Sequence, residues 1–207
     1  ASALAASFLA RDDAHTLLLV GAGRVAALMP EALRTVRPGL RRVRVWNHRQ
    51  DGAERLAATL RAQGFEAESV PEAALETAVR SACIVSCATL SQQALVQGAW
   101  LADGAHLDLI GSFTPAMREA DAACLRRARV FVDTDEALAK AGCLLQAVAE
   151  GAFDPAAVQG RLADLCQGRV TGRGGRGEIT LFKSVGNALE DLAATELVLA
   201  GADNPAA

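Results

Sequence analysis

The chain has 207 residues, room for one large domain or for a domain with an appendage. Hydrophobic residues make up 51% of it, but aromatics only 4% and tyrosine is absent, so a core has to be built from Ala, Leu and Val. With 21 basic against 24 acidic residues, the formal net charge of −3 gives no electrostatic footing for nucleic acid or for a membrane surface.

The opening "ASALAASFLA" (1–10) predicts a helix with no N-cap residue before it, as expected of a chain that begins inside a longer protein. It lacks the basic start of a secretory signal, and no apolar run reaches bilayer length, so the expected setting is soluble and cytoplasmic. "TLLLV" (16–20) fits a strand buried on both faces, and a helical pattern follows over 21–36. "RRVRVW" (41–46) predicts a second strand, "DGAERLAATLRAQG" a helix closed by Gly64, and "FEAESV" a weak third strand. "PEAALETAV" starts a helix at Pro71, "CIVSCA" (83–88) and "HLDLI" (106–110) are strands, and "QQALVQGAW" is expected to be helical between them. "DAACLRRA" and "RVFVDT" add a helix and a sixth strand.

Strands alternating with helices in this way predict a doubly wound, Rossmann-type parallel sheet of order 3-2-1-4-5-6. After Asp135 the alternation lapses into short helical pieces. "GRVTGRGGRGE" (168–178) is expected to be a mobile connection rather than an RNA-binding tail, since no aromatics interleave its arginines. "EITLF" and "SVGNALEDLAATELVLAG" then supply a last strand and a long final helix. The expected division is a dinucleotide-binding unit over 1–167, a loop over 168–177 and a closing strand and helix over 178–207.

Five scattered cysteines without a C-x-x-C pair read as reduced structural thiols, and no metal site is expected. His15, His48 and His106 lie far apart, none beside a Ser or Cys. The chemistry points instead to "GAGRVA". Gly21, Gly23 and Ala26 match the G-x-G-x-x-[GA] turn, in which the first glycine makes the bend and the second admits a pyrophosphate. The small third position lets the helix pack on its strand, and that helix offers its N-terminus to the phosphates. A glycine turn with a purely structural role is the competing reading.

The second strand runs out into Asn47, His48 and Arg49, where an NAD site usually has an acid on the ribose 2′-hydroxyl. Without that carboxylate, and with Arg49 able to pair with a 2′-phosphate, NADP is favoured over NAD. Small residues follow both the fourth and fifth strands (Ser86 and Ala88, Gly111 and Ser112), leaving room for a nicotinamide at the carboxyl edge of the sheet.

Together "ASALAASFLAR", "GAGRVA", "VWNHR", "SCAT", "GAHLDLIGSFTPAMREAD", "VFVDTDEAL" and "GEITLFKSVGNALEDLAATELV" resemble the ornithine cyclodeaminase/mu-crystallin family, in order and over nearly the whole chain. The resemblance implies a Rossmann domain preceded, in the whole protein, by an N-terminal region that forms a homodimer and supplies a lysine and an arginine to the substrate. The last strand and helix are expected to return toward that region. By position, Gly21, Ala22, Gly23, Arg24 and Val25 would hold the pyrophosphate, and Asn47, His48 and Arg49 the adenosine ribose. Val85, Ser86 and Cys87 would border the riboses, Ile110, Ser112 and Ser184 the nicotinamide, and Glu136 the substrate pocket.

The departures are informative. Cyclodeaminases of this family resemble G-x-D where this chain has "GSF", and Phe113 can neither accept a proton nor pair with an ammonium. Relatives without that aspartate resemble reductases of cyclic imino acids such as Δ1-pyrroline-2-carboxylate, or of ketimines. The expectation is therefore an NADP-dependent imine reductase, with NAD as the other cofactor. The alternatives are an ornithine cyclodeaminase and a non-catalytic NADPH-binding protein of mu-crystallin type.

Overall fold

A computed structural model describes residues 1–202. The first strand, β1 (Thr16–Val20), is apolar from Leu17 onward and buried at every position. Successive side chains of a strand point to opposite faces. Leu17 and Leu19 accordingly enter one core with α1 (Ser2–Leu9), α2 (Arg24–Val36) and α3 (Gln50–Ala62). Leu18 and Val20 enter the other, with α4 (Leu75–Arg80), α5 (Ala122–Arg127) and α7 (Gly142–Ala149). An unbroken apolar strand is thus the signature of a sheet covered on both sides. Emptying one such position, as in Leu18→Ala, costs about 2–5 kcal/mol.

Beside β1 stand β2 (Arg42–Trp46) and β3 (Glu66–Val70) on one side, and β4 (Ile84–Cys87) and β5 (His106–Leu109) on the other, all parallel. The expected order 3-2-1-4-5 holds. The next place does not go to β6 (Arg129–Val132), which corrects the expected six-strand order. It is taken by β8 (Thr180–Lys183), followed by β6 and then the two-residue β7 (Gly160–Arg161). The closing strand therefore lies inside the sheet, paired on both edges and buried at all four positions. The short α6 (Glu136–Lys140) and α8 (Leu162–Cys166) occupy the stretch after β6, and α9 (Ala188–Ala202) ends the described chain.

The 92–100 stretch is not the expected α-helix. Its backbone is committed elsewhere: the Leu95 and Val96 N–H groups donate to Glu119 O at 2.9 and 3.0 Å, and only a 3₁₀ turn forms at Gly98–Trp100. The glycine- and arginine-rich 168–178 loop is likewise pinned. Arg173 donates to the carbonyls of Leu9 (2.8 Å) and Ala105 (3.2 Å) and to the Thr180 hydroxyl (3.0 Å). Buried Arg37 serves α1 in the same way, donating to the carbonyls of Ser7 and Ala10 that the helix end leaves open. No helix among the described residues is long and apolar enough to cross a membrane.

Candidate functional site

The turn from β1 into α2 is shaped by two glycines that differ in what they avoid. Gly21 has φ +116°, and a Cβ there would stand 2.6 Å from the carbonyl oxygen of Ala88. Its own backbone closes the turn, with Gly21 N–H donating to Trp46 O at 2.8 Å. Gly23, at the N-cap of α2, has extended backbone, and a Cβ there would meet nothing within 4 Å. The protein itself does not require glycine at 23. A bare backbone beside the open N-terminus of a 13-residue helix is what a pyrophosphate needs, so the residues present fit a dinucleotide.

In front of this turn lies a cleft of about 1070 Å³ along the carboxyl edge of the sheet. Of the residues singled out from sequence, Gly21, Ala22, Gly23, Val25, Asn47, His48, Arg49, Ile110, Phe113 and Ser184 all line it. Arg24 stands exposed at the start of α2 outside the lining. Val85, Ser86 and Cys87 are buried within β4, and the wall is made by the next residues out, Ala88, Thr89, Leu90 and Ser91. Ser112 is also fully buried, with Gly111 in the lining beside it. Glu136 sits in a smaller recess that shares Val185, Gly186 and Glu190 with the cleft.

Sequence reasoning missed Arg55 and Gly52. Both face the Asn47 end from one side of α3, three residues apart, which is a spacing that a helical reading from Arg49 onward makes visible. Gly52 is small because a Cβ would stand 2.8 Å from Asn47 Nδ2. That amide donates to Arg49 O at 2.9 Å, which fixes the side chain against the turn. Arg55 pairs with Asp51 at 2.7 Å, and this partner holds the Asp51 carboxyl below its usual range.

Buried polar groups support the far end. Glu119 is fully buried, and its Oε1 accepts from the Thr89 N–H (2.6 Å) and hydroxyl (2.8 Å). Burial pushes its carboxyl up, against the opposing pull of those two hydrogen bonds. Asp108 Oδ2 accepts from the Ser86 hydroxyl at 2.7 Å, and burial raises this carboxyl too. Asp133, at the end of β6, accepts from the N–H groups of Val185 (2.7 Å) and Gly186 (2.8 Å) and so fixes the exit of β8. Lys183 is fully buried, and its ammonium donates to the carbonyls of Leu109 (3.0 Å), Ser184 (2.7 Å) and Gly111. Burial lowers its pKa. Ser112 has φ +56° and an unpartnered buried hydroxyl, a strained position beside the cleft.

The profile of the ornithine cyclodeaminase/mu-crystallin family matches residues 1–204. The chain belongs to this family. It is 44% identical over 192 residues to the Δ1-pyrroline-2-carboxylate reductase of Paracoccus denitrificans, covering 92% of this chain and 60% of that protein. The Δ1-pyrroline-2-carboxylate reductase of Thermococcus litoralis, solved in complex with NADH and L-proline, superposes with a TM-score of 0.91 at 30% identity, over 95% of this chain and 60% of that one. An archaeal alanine dehydrogenase, solved as a dimer with bound NAD, superposes with a TM-score of 0.89 at 28% identity, again over 95% and 60%. The chain therefore spans about 60% of the length of these relatives.

Proposed function

We propose that the whole protein is a reductase of a cyclic imino acid or ketimine, of the Δ1-pyrroline-2-carboxylate type, that prefers NADPH. Phe113 carries the reading. It lines the cleft where cyclodeaminases of the family resemble an aspartate, and among the described lining residues only Glu190 bears a carboxylate. A cyclodeaminase has to engage a second amine on its substrate, and an apolar ring does not. The Paracoccus and Thermococcus relatives, both Δ1-pyrroline-2-carboxylate reductases, support the same class.

The bound nicotinamide would supply a hydride to the carbon of the C=N bond. The residues of this chain hold and shield. The 21–23 turn and the α2 N-terminus receive the pyrophosphate. Asn47, locked by Arg49 O and accommodated by Gly52, presents a neutral amide to the adenosine ribose, and Arg49 and Arg55 present cations to a 2′-phosphate. Phe113 and Leu90, both exposed apolar residues of the lining, keep water from the reacting end. We carry the reading to a cytoplasmic protein and, as for the dimeric alanine dehydrogenase relative, to a homodimer. The expected division at 178 gives way, because β8 is an inner strand of the sheet formed by the preceding residues.

The deciding experiment uses the full-length protein. It follows NADPH oxidation with Δ1-pyrroline-2-carboxylate and, in parallel, formation of proline and ammonia from ornithine with NAD. Imine reduction without ornithine turnover is expected. Proline formed from ornithine would overturn the reading, and NADPH binding with no turnover of any imine would leave a binding protein.

A further inference from the structure

We infer that Lys183 is a positioning residue: its ammonium ties the exits of β5 and β8 together and thereby sets the shape of the nicotinamide end of the cleft. The inference rests on the reductase reading above. Two of its three acceptors, Gly111 and Ser184, contribute to the cleft wall, and the third, Leu109, ends β5. Among the described residues, no other donor reaches the carbonyls of Gly111 or Ser184. Without the ammonium, the β5–β8 pairing would end at the Ser184 N–H to Leu109 O hydrogen bond (3.2 Å), and the carbonyls of Gly111 and Ser184 would face one another unpartnered, which loosens the exits beyond it.

The residue type fits this task. Of the 21 basic residues only Lys140 and Lys183 are lysines, so this chain places a lysine in its interior although it uses arginine almost everywhere else. An ammonium is a point with three donors, matched to three converging carbonyls, whereas a guanidinium spreads its donors over a planar fork. Buried Arg37 shows the contrast, fanning three nitrogens over four separate carbonyls. No carboxylate lies within salt-bridge distance of Lys183 among the described residues; its hydrogen bonds all go to backbone carbonyls, while Glu119, Asp108 and Asp133 favour its charge from farther off. Filling the space with an apolar side chain would avoid burying a charge. What the lysine adds is the fixed separation of two strand ends. Asp133 complements it, taking the next two N–H groups of the same exit at Val185 and Gly186.

The test is Lys183→Met in the full-length protein, with every rate expressed per dinucleotide-binding site. The ammonium makes no contact with residues 21–23, so NADPH affinity is expected to stay within about threefold of wild type. The kcat for imine reduction is expected to fall by about tenfold or more, because a misplaced reacting carbon is costly. The isotope effect with 4-deuterated NADPH should rise as hydride transfer becomes limiting. A purely structural lysine would leave kcat per site and the isotope effect at wild-type values, and that result overturns the inference.

If Lys183→Met does not fold, the unaltered protein still decides. In lysine-labelled protein the Lys183 signal, marked by slowly exchanging ammonium protons, should shift on saturation with NADP and not with 2′,5′-ADP, which lacks the nicotinamide. Equal responses to both would overturn the inference. A wild-type protein that binds NADP but reduces no imine defeats the functional reading alone, and this signal then judges Lys183 by itself.

Discussion

Glu119 and Thr89, 30 positions apart, are joined twice: one carboxylate oxygen accepts both the main-chain N–H and the hydroxyl of Thr89. The contact exists only because residue 111 is glycine, since a Cβ there would stand 2.3 Å from Glu119 Oε1 and 2.2 Å from Thr89 O. Two segments of the cleft wall, at Thr89 and at Gly111, therefore meet on one buried carboxylate. Glu119→Ala strands the Thr89 N–H, and the expected loss is about 1–3 kcal/mol in urea unfolding. Gly111→Ala should be at least as harmful, because Thr89 O is backbone and cannot rotate away. A loss below about 0.5 kcal/mol for Glu119→Ala would place the pair among ordinary surface contacts.

The two glycines of the turn make opposite predictions. Gly21→Ala combines positive φ with a collision on Ala88 O, so it should destabilise the fold whether or not dinucleotide is present. Gly23→Ala meets no protein atom, so its unfolding midpoint should match wild type. Its dinucleotide affinity should nevertheless fall by about tenfold or more, since the methyl occupies the pyrophosphate's approach. Unfolding curves with and without NADPH separate the two. A Gly23→Ala variant stabilised by NADPH as strongly as wild type would move the pyrophosphate off this turn.

Much of this architecture is legible in the chain because its signals are local. "TLLLV" announces a strand covered on both faces, the residues after it announce the turn, and Asn47 announces the end of the second strand. What sequence cannot supply is which distant backbone a segment will bond. Residues 92–100 have apolar positions that suit a helix, but the N–H groups of Leu95 and Val96 are taken by Glu119 O, near in space and remote in sequence. The place of β8 between β5 and β6 is equally non-local, and so are the three carbonyls on Lys183. Register explains the displaced expectations at the end of β4. Val85, Ser86 and Cys87 remain paired with β1 and β5, and only from Ala88 onward is the chain free to face the cleft.

Cofactor choice should turn on Arg49. It is exposed at the N-cap of α3, with Arg55 behind it and Asp51 already engaged by Arg55. A charge-assisted hydrogen bond to a phosphate is worth about 1.5–3 kcal/mol, so Arg49→Ala should weaken NADPH by about tenfold or more. NADH, which carries no 2′-phosphate, should bind unchanged. Raising the salt from low to physiological strength should narrow the proposed preference for NADPH, since these cations are solvent-facing. Equal losses for both cofactors in titrations of Arg49→Ala would show that Arg49 contacts something common to them, and the proposed NADP preference would lose its support.

The last prediction concerns acid. His106 is fully buried in β5, and its Nδ1 lies 3.0 Å from the Thr180 hydroxyl, which itself donates to Leu9 O at 2.8 Å. With that hydroxyl proton committed, Nδ1–H is the donor and Nε2 is left as an unpartnered, unprotonated nitrogen. Burial above all, then the charges of Arg173 and Arg37, holds the imidazole neutral down to about pH 3. The folded-state pKa thus lies below the unfolded value of about 6.5, and the unfolded chain binds the proton first. Stability is complete above about pH 6.5 and declines as the pH falls toward the folded pKa, by about 2 kcal/mol at pH 5. Protonated carboxylates add their own losses below that, so the useful window is pH 5 to 7.5. Urea unfolding across it should give a stability slope for the wild type that His106→Gln abolishes. Equal slopes in the two proteins would mean that His106 gains its proton without leaving the fold.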